Sequence, residues 1–263
     1  MAINVEKEQL SKIASLGNAS ASPSQYPLVS IILATYNERE NILDTIENVF
    51  HYVAFPVEVI VVDDDSPDET WRLVEQFGDA RVKLIRRVHT HGLASAFNRG
   101  IIESRGDIVG WMDADMCMPP SLLPTMIEKL KEYDIVIGSR YVKGGKIVGW
   151  EMSRRIISRF VNIYANLLTG MPICDITAGF QCARVELLNK IEFQKLGSAG
   201  YAFQVELKYY CVKNLGARSF EIPITFPPRR HGEPKITSGI VIEGFFSPLK
   251  LFFKRFSSFF GSF

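Results

Sequence analysis

The sequence has little of what marks several common protein classes. Its 263 residues carry 30 basic and 29 acidic side chains, a net charge of +1, so the composition gives no support for bulk attraction to nucleic acid. Four cysteines without a CxxC pair or a Cys/His cluster predict neither a disulfide framework nor a zinc site, and they fit a reducing cytoplasm. No GxGxxG or GxxxxGK[ST] loop is present, which removes the main support for a kinase, a P-loop ATPase or a dinucleotide dehydrogenase.

Long hydrophobic runs are missing as well. No stretch reaches the roughly 18 to 20 apolar residues of a membrane-spanning helix, and residues 1–26 are polar, so we expect a flexible N-terminal tail without a secretory signal. Residues 238–263 differ, because they crowd phenylalanines around Lys250, Lys254 and Arg255. This mixture predicts amphipathic helices that lie in a membrane interface. A terminal helix packed on the core, or the stub of a longer membrane protein, are the alternatives.

Apolar runs alternate with helical patterns between residues 27 and 237. The predicted strands cover 28–33, 57–62, 82–85, 108–112, 134–137 and 220–226, and the predicted helices cover 38–50, 68–77, 93–104, 119–131, 153–168, 185–191 and 201–213. This order predicts an α/β fold in which a mostly parallel, Rossmann-like sheet is flanked by helices on both faces. A hydrophobic content of 47% suits a single folded domain over this range.

Two carboxylates follow the strand predicted over 108–112. Asp113 and Asp115 are separated by one small residue, so both are expected in the crevice at the carboxyl end of the strands. Oxygen ligands of this kind suit Mg²⁺ or Mn²⁺ shared with a diphosphate. A solvated turn that caps the next helix is the alternative, but further polar loops after neighbouring strands favour a metal–nucleotide site.

The further loops are ATYNERENI, residues 34–42, and VVDDDSPDET, residues 61–70. Tyr36 has a ring that can pack against a base. Glu38 and Asp64 have carboxylates that can accept hydrogen bonds from a base or a ribose. Together with the acidic pair, these loops predict a nucleotide pocket.

Nine ordered segments resemble the inverting GT-A glycosyltransferases of family 2, and specifically the dolichyl-phosphate (polyprenyl-phosphate) mannose synthases. They are ATYNEREN, VVDDDSPDET, HGLASAFNRG, MDADMCMPP, GSRYVKGG, GWEMSRRIISRFVNIYANLLTG, CDITAGFQC, GYAFQVELKY and EIPITFPPRRHGEPK, and they span residues 28–235. The resemblance implies a peripheral enzyme at the cytoplasmic face of a membrane, with room for a membrane-anchoring subunit. It would transfer mannose from GDP-mannose to dolichyl or polyprenyl phosphate in one inverting, in-line displacement. The acceptor phosphate is already anionic, so no strong general base is needed.

The resemblance also implies residue roles. Mg²⁺ or Mn²⁺ would be held on the diphosphate by Asp113 and Asp115. The residues expected to hold the nucleoside are Ala34, Tyr36, Glu38 and Asp64. Those expected to receive the acceptor phosphate are Arg140, Arg154 and Ser158, and those expected to close over the donor pyrophosphate are Arg229 and Lys235. Asp115, Arg229 and Lys235 are the predicted catalytic residues. Guanidinium forks and a compact ammonium suit phosphates, whereas the alternative for these cations is plain surface charge.

The sequence departs from the family pattern at two positions. Cys117 stands where the family usually has glutamine, and a neutral thiol is a poor ligand for a hard cation. Pro234 stands in a loop that usually reads GxSK, where it removes an amide donor. These departures keep open a non-catalytic GT-A subunit of a membrane complex. Within the enzymatic interpretation, UDP-glucose or another donor remains an alternative, whereas the missing QxxRW pattern disfavours transfer to a sugar hydroxyl.

Overall fold

The structure is a computed structural model that describes residues 26–193, 196–197, 200, 202–230 and 244–253. In these ranges the strands are β1 (Val29–Thr35), β2 (Val57–Asp63), β3 (Val82–Arg86), β4 (Ile108–Asp113), β5 (Ile135–Ser139), β6 (Lys146–Ile147), β7 (Gln181–Arg184), β8 (Ser219–Pro223) and β9 (Thr225–Phe226). The main sheet has the order β3-β2-β1-β4-β7-β5-β8, and β6 pairs with β9. Only β7 runs antiparallel to its neighbours in the described sheet.

Helices cover both faces of this sheet. They are α1 (Ile42–Tyr52), α2 (Thr70–Gln76), α3 (Leu93–Glu103), α4 (Leu123–Lys129), α5 (Met152–Thr169), α6 (Val185–Leu188), α7 (Ala202–Tyr209) and α8, residues 244–253. One core layer contains Phe97, Trp111 and Phe203, and the other contains Ile46 and Leu123. Because central parallel strands are buried on both faces, they read as continuous apolar runs such as VEVIVV in β2. The predicted mostly parallel α/β fold is confirmed.

The structure corrects some predicted boundaries. Residues 220–226 do not form one strand, because β8 ends at Pro223 and β9 leaves for the small sheet, with the Ile224 amide donating to the Ser139 carbonyl at 2.9 Å. Strand β7 was not predicted, since its four residues, QCAR, have no apolar run. Helix α1 begins at Ile42 rather than residue 38, because Asn37 has a φ of +54° and the Asn41 amide closes a turn onto Glu38.

The register of the sheet brings the predicted site residues to one edge. Ala34 lies opposite Val62 on one side and Asp113 on the other, and Thr35 lies opposite Asp63. These residues come at the carboxyl ends of their strands, and β5 ends on the same edge just before Arg140. A crevice outside the carboxyl ends of parallel strands is where this class of fold binds ligands.

Helix α8 lies against α5 and α7. Tyr164 stacks on Phe245 with ring centroids 4.9 Å apart, and Ser247 Oγ lies 3.3 Å from Glu206 Oε1. The helix buries Leu251 but exposes Phe253, so it is amphipathic, and its position in a membrane interface remains a prediction. None of the described helices has the length and apolar character needed to cross a membrane. The tail at 1–26, apart from Tyr26, and the remainder of 238–263 lie outside the described residues.

Lys208 is a fully buried lysine on α7. Its Nζ donates to the carbonyl oxygens of Ile176 at 3.0 Å, Ala178 at 2.6 Å and Gln204 at 3.3 Å. Burial disfavours the charged ammonium and lowers the pKa of Lys208 to about 7. The side chain therefore fastens α7 to the loop that precedes β7, whose residues line the cavity described below.

Replacement of Lys208 by methionine should change how stability depends on pH. Between the folded pKa of about 7 and the ordinary value of about 10.4, the unfolded wild-type chain binds one proton more than the folded chain, so this lysine makes the free energy of unfolding rise with pH. Relative to Lys208→Met, wild type should gain about 1 kcal/mol per pH unit between about pH 7.5 and 9.5 in urea unfolding. The exposed Lys213→Met variant should track wild type. Parallel curves for wild type and Lys208→Met would contradict this assignment.

Candidate active site

The acidic pair lies at the end of the central strand β4. Asp113 closes the strand, and Asp115 is buried two residues later, after which Met116 turns the backbone with a φ of +61°. The Cys117 amide donates to Asp115 Oδ1 at 3.0 Å. Burial, followed by the charge of Asp115, raises the pKa of the Cys117 thiol well above its usual range. This thiol is therefore neutral, as the sequence predicted for a poor metal ligand.

Arg229 bridges two loops of the crevice. Its Nη2 lies 3.1 Å from Asp115 Oδ2, and its Nη1 lies 3.0 Å from Glu38 Oε1. Burial alone would lower the pKa of Arg229, but the two carboxylates raise it above its ordinary value. The neighbouring Arg230 pairs with Asp44 at 2.5 Å, so the chain after β9 is fastened across the acidic edge.

The predicted nucleoside residues lie beside the acidic pair on the β1 and β2 side. Glu38 is buried, accepts from Asn41 Nδ2 at 2.8 Å and meets Arg229, whereas Tyr36 is largely exposed. Ala34 lies next to Asp113 in the sheet register. An exposed ring flanked by a buried carboxylate leaves this side of the crevice open to a planar group.

Asp64 makes contacts that the sequence did not reveal. Its Oδ1 accepts from Arg87 Nε at 2.7 Å and also from Arg87 Nη2, and its Oδ2 accepts from the Gly92 amide at 2.7 Å. Arg87 is as buried as Asp64. Arg87 stands in RRVHT, where nothing distinguishes it from the exposed Arg86. In the structure Asp64 therefore orders the entry to α3, and its predicted contact with a nucleoside remains a prediction.

Arg140 is held in a fixed orientation after β5. Its Nε and Nη2 lie 2.7 Å from the two carboxylate oxygens of Asp175, and Nη2 also donates to Thr177 Oγ1 at 2.9 Å. The Arg140 side chain is 10% exposed and that of Asp175 is fully buried. Sequence reasoning missed Asp175 and Thr177, because no local pattern in CDITAGFQC indicates a partner 35 residues away.

Arg154 and Ser158 lie one turn apart on α5. The guanidinium of Arg154 stacks 3.9 Å above the Trp150 ring, and Ser158 Oγ accepts from the Tyr141 hydroxyl at 2.6 Å. Stacking keeps a guanidinium rigid while it leaves the edge donors free for an anion. Both side chains therefore present polar groups on one face of the helix.

A cavity of about 400 Å³ joins these groups. Its polar lining contains the sequence-predicted residues Asp113, Asp115, Arg140, Arg154, Ser158 and Arg229. Its apolar lining comes from α5, α7, α8 and the loop before β7, and includes Val161, Ala165, Val205 and Phe245. Ala34, Tyr36, Glu38 and Asp64 do not line this cavity, although Arg229 connects Glu38 to it. Lys235 lies outside the described residues.

The donor set of the acidic edge fits a divalent cation that is shared with a ligand. Asp113 and Asp115 supply hard oxygen donors, but no group of three or more His, Cys, Asp or Glu side chains gathers at one point within the described ranges. Mg²⁺ commonly takes one or two carboxylates together with substrate phosphates and waters. The pair therefore suits a cation that binds together with a diphosphate.

Removal of the Asp175 charge should be costly. In Asp175→Asn the buried Arg140 loses its counter-charge, and breaking a buried pair in this way costs about 3–5 kcal/mol of unfolding free energy. Asp134→Asn is the matched control, because its partner Arg218 is 65% exposed, and we expect a loss below about 1 kcal/mol. Urea denaturation of both variants checks this, and equal losses would show that Arg140 does not depend on Asp175.

Comparison with known proteins identifies relatives over most of the chain. Residues 30–192 match the family described as Glycosyl transferase family 2. An undecaprenyl-phosphate mannosyltransferase of Micrococcus luteus is 38% identical, covering 82% of this chain and 90% of the relative. A dolichol-phosphate mannosyltransferase of Pyrococcus furiosus is 38% identical, covering 82% of this chain and 61% of the relative. A polyprenol monophosphomannose synthase of Mycolicibacterium smegmatis is 36% identical, covering 87% of each.

Solved structures share the fold. Glucosyl-3-phosphoglycerate synthase from Mycobacterium tuberculosis, in complex with Mn²⁺, UDP-glucose and phosphoglyceric acid, aligns with a TM-score of 0.66 at 21% identity. The alignment covers 91% of this chain and 84% of that chain. The predicted GT-A architecture is confirmed by this likeness and by the sheet order.

Proposed function

This chain belongs to glycosyltransferase family 2, and we propose that it transfers mannose from GDP-mannose to a dolichyl or polyprenyl phosphate. The membership makes it a glycosyltransferase. The proposed acceptor and sugar rest on the names of the three relatives. Two names describe mannosyl transfer to a lipid phosphate, and the third describes synthesis of polyprenol monophosphomannose. The cavity supplies the independent support.

The cavity has the two kinds of surface that a lipid phosphate needs. Among its lining residues, Arg140, Arg154 and Ser158 offer guanidinium and hydroxyl donors suited to a phosphate. The lining also includes apolar side chains, of which Ile157 and Phe245 are both substantially exposed. A polyprenyl chain can therefore leave along α5 and α8 while its phosphate stays inside. A soluble sugar acceptor has no use for such an apolar exit.

We place the nucleotide-sugar donor at the acidic edge of the sheet, beside the cavity that would take the acceptor. We assign the nucleoside to the Ala34, Tyr36, Glu38 and Asp64 side, and the diphosphate to the acidic pair and Arg229. Mg²⁺ or Mn²⁺ held by Asp113 and Asp115 would neutralise the charge that develops on the leaving diphosphate. The likeness in fold to a synthase solved with Mn²⁺ and UDP-glucose, and with Mg²⁺ and UDP, is consistent with such a cation. Lys235 is the predicted second cation of this side.

The proposed reaction requires little proton transfer by the protein. An oxygen of the acceptor phosphate forms a bond to the anomeric carbon while the bond from that carbon to GDP breaks, and the electron pair leaves with GDP. Because the attacking phosphate is an anion, no proton has to be removed first. The residues contribute alignment and charge: Arg140 and Arg154 hold the acceptor, while Arg229 stabilises the leaving group. One displacement inverts the sugar, so an α-linked donor gives a β-linked product.

The enzyme is proposed to work as a peripheral protein at the cytoplasmic face of a membrane. Its acceptor is a membrane lipid, α8 exposes Phe245 and Phe253, and the four cysteines are free, as suits a reducing compartment. A membrane-anchoring subunit is compatible with this arrangement.

The test measures transfer of label from GDP-mannose to a polyprenyl phosphate in detergent, with Mg²⁺ or Mn²⁺ present. We expect wild type to form β-mannosyl phospholipid, chelator to abolish the reaction, and Asp115→Asn to lower kcat/KM by about 10²–10³-fold, since it removes a charge that holds the cation and orients Arg229. Asp79→Asn, whose carboxylate pairs with Arg81 in the turn before β3, should retain activity.

Other outcomes would correct or reject the proposal. Product from UDP-glucose but not from GDP-mannose would keep the mechanism and change the sugar. An α-linked product would contradict a single displacement. No transfer and no donor hydrolysis with any nucleotide sugar would favour a non-catalytic subunit, for which Cys117 and Pro234 are the sequence arguments.

A further inference from the structure

Helix α5 lines the cavity with one face and a separate groove with the other, and the proposed reaction uses only the cavity face. The cavity face carries Arg154, Ile157, Ser158, Val161 and Ala165. The other face carries Arg155, Ile156, Arg159, Phe160 and Ile163. At about 100° per residue, these two sets fall on opposite sides of the helix. The adjacent arginines Arg154 and Arg155 therefore serve different surfaces.

The second face forms one wall of an open groove of about 510 Å³. The other wall comes from the segment after β5 and from β6, through Tyr141, Gly145, Lys146 and Ile147. Arg140 lines both the groove and the cavity. Its charge is already matched by Asp175, so the uncompensated charge of the groove comes from other residues.

Three cations of the groove have no acidic partner. Within the described part of the chain, none of the ion pairs within 4.0 Å includes Lys146, Arg155 or Arg159. Arg155 Nε is shielded from solvent and finds no hydrogen-bond acceptor there, and the Arg159 guanidinium sits 4.9 Å from the Tyr141 ring centroid. With no carboxylate of the described residues beside them, the charges of these three side chains are uncompensated by the protein, so the groove favours an anion with oxygen acceptors.

The same surface is strongly apolar. Ile156 is 62% exposed, Phe160 63% and Leu167 79%. Phe160 stacks on Tyr164, which in turn stacks on Phe245 of α8, so the exposed apolar side chains continue from α5 to α8. Apolar residues interleaved with arginines are typical of a helix that lies in a bilayer interface. A free phosphate or nucleotide would leave this apolar wall uncovered.

We propose that this groove binds the headgroup of an anionic phospholipid of the bilayer. Lys146, Arg155 and Arg159 would contact the phosphate, and an acyl chain would lie along Ile156 and Phe160. The inference deepens the proposed function, on which it rests for its membrane setting, by naming a lipid other than the acceptor. The bound lipid would hold α5 at the membrane interface. The cavity face of α5 would then be turned toward the entering polyprenyl phosphate.

Vesicle flotation tests this site without any donor sugar. We compare phosphatidylcholine vesicles with and without phosphatidylglycerol, using wild type, Arg155→Gln/Arg159→Gln and the charge-matched control Lys190→Gln/Lys213→Gln. At roughly fivefold per cation near an anionic surface, the loss of both arginine charges should make the double variant bind phosphatidylglycerol vesicles about 30-fold more weakly. The lysine control, on exposed positions outside the groove, should bind within about 2-fold of wild type.

Two further variants separate this site from the active site. Arg155→Lys/Arg159→Lys keeps both charges and should retain most of the vesicle binding. In detergent with dispersed polyprenyl phosphate, Arg155→Gln/Arg159→Gln should keep transfer activity, which also shows that it is folded, whereas Arg154→Gln should lose activity but keep the preference for phosphatidylglycerol.

Several results would overturn the inference. They are equal binding of wild type to both kinds of vesicle, unchanged binding of the arginine double variant, and an equal loss in the lysine control, which would mean bulk charge attraction. Loss of detergent activity in Arg155→Gln/Arg159→Gln but not in Arg155→Lys/Arg159→Lys would assign the groove to the acceptor instead. An error in the proposed function is distinguishable from an error in this inference. In that case wild type and every variant would show no transfer, while the difference in vesicle binding between wild type and the arginine double variant would remain.

Discussion

The ion pairs of Arg229 are the contacts on which the donor side of the site depends. Parallel strands gather Glu38 and Asp115 at one edge of the sheet, and buried carboxylates need compensating charge to stay ionised there. One guanidinium contacts both, across 191 residues of sequence in the case of Glu38. The same contact fastens the chain after β9 over the crevice. In the proposed reaction an incoming diphosphate would bring further negative charge, and a divalent cation on the acidic pair would balance it without freeing Arg229 from its loops.

The acceptor side follows the same rule with a different partner. Arg140 is nearly buried and is oriented by Asp175, while Lys208 fastens the Ile176 and Ala178 carbonyls of the same loop. The core thus fixes the position of Arg140, which would lower the entropic cost of binding the phosphate of the proposed acceptor. Pre-set positions also account for a reaction that needs alignment more than proton transfer.

Helix α5 divides the lipid side of the molecule. Its amphipathic pattern is visible in SRRIISRFVNIYANLL, but the helix is not simply apolar on one face and polar on the other. One face closes the cavity, and the other presents unpaired arginines among exposed isoleucine and phenylalanine. For the proposed acceptor, a lipid dissolved in a bilayer, such a second surface would keep the mouth of the cavity turned to the membrane.

The sequence predicted the features that have local signals. Continuous apolar runs located the central strands, and an acidic pair after such a run located the edge where Asp113 and Asp115 lie. It did not predict partners that the fold brings together from a distance. Asp175 beside Arg140 and Arg87 beside Asp64 have no signature in their own segments, and the four-residue β7 has no apolar run. The aromatic and aliphatic pattern of α5 was visible in the sequence. Which of its residues line the cavity and which line the groove became clear only from the positions of β6 and α8.

Binding of Mn²⁺, followed by electron paramagnetic resonance with and without GDP, tests the central claim most directly. Two carboxylates next to an arginine should hold Mn²⁺ weakly, and GDP should tighten it because the diphosphate supplies further oxygen ligands. The account predicts that this tightening occurs in wild type and disappears in Asp113→Asn/Asp115→Asn. Equal Mn²⁺ affinity in the double variant with GDP present, or no effect of GDP on wild type, would contradict a donor site built on the acidic edge of the sheet.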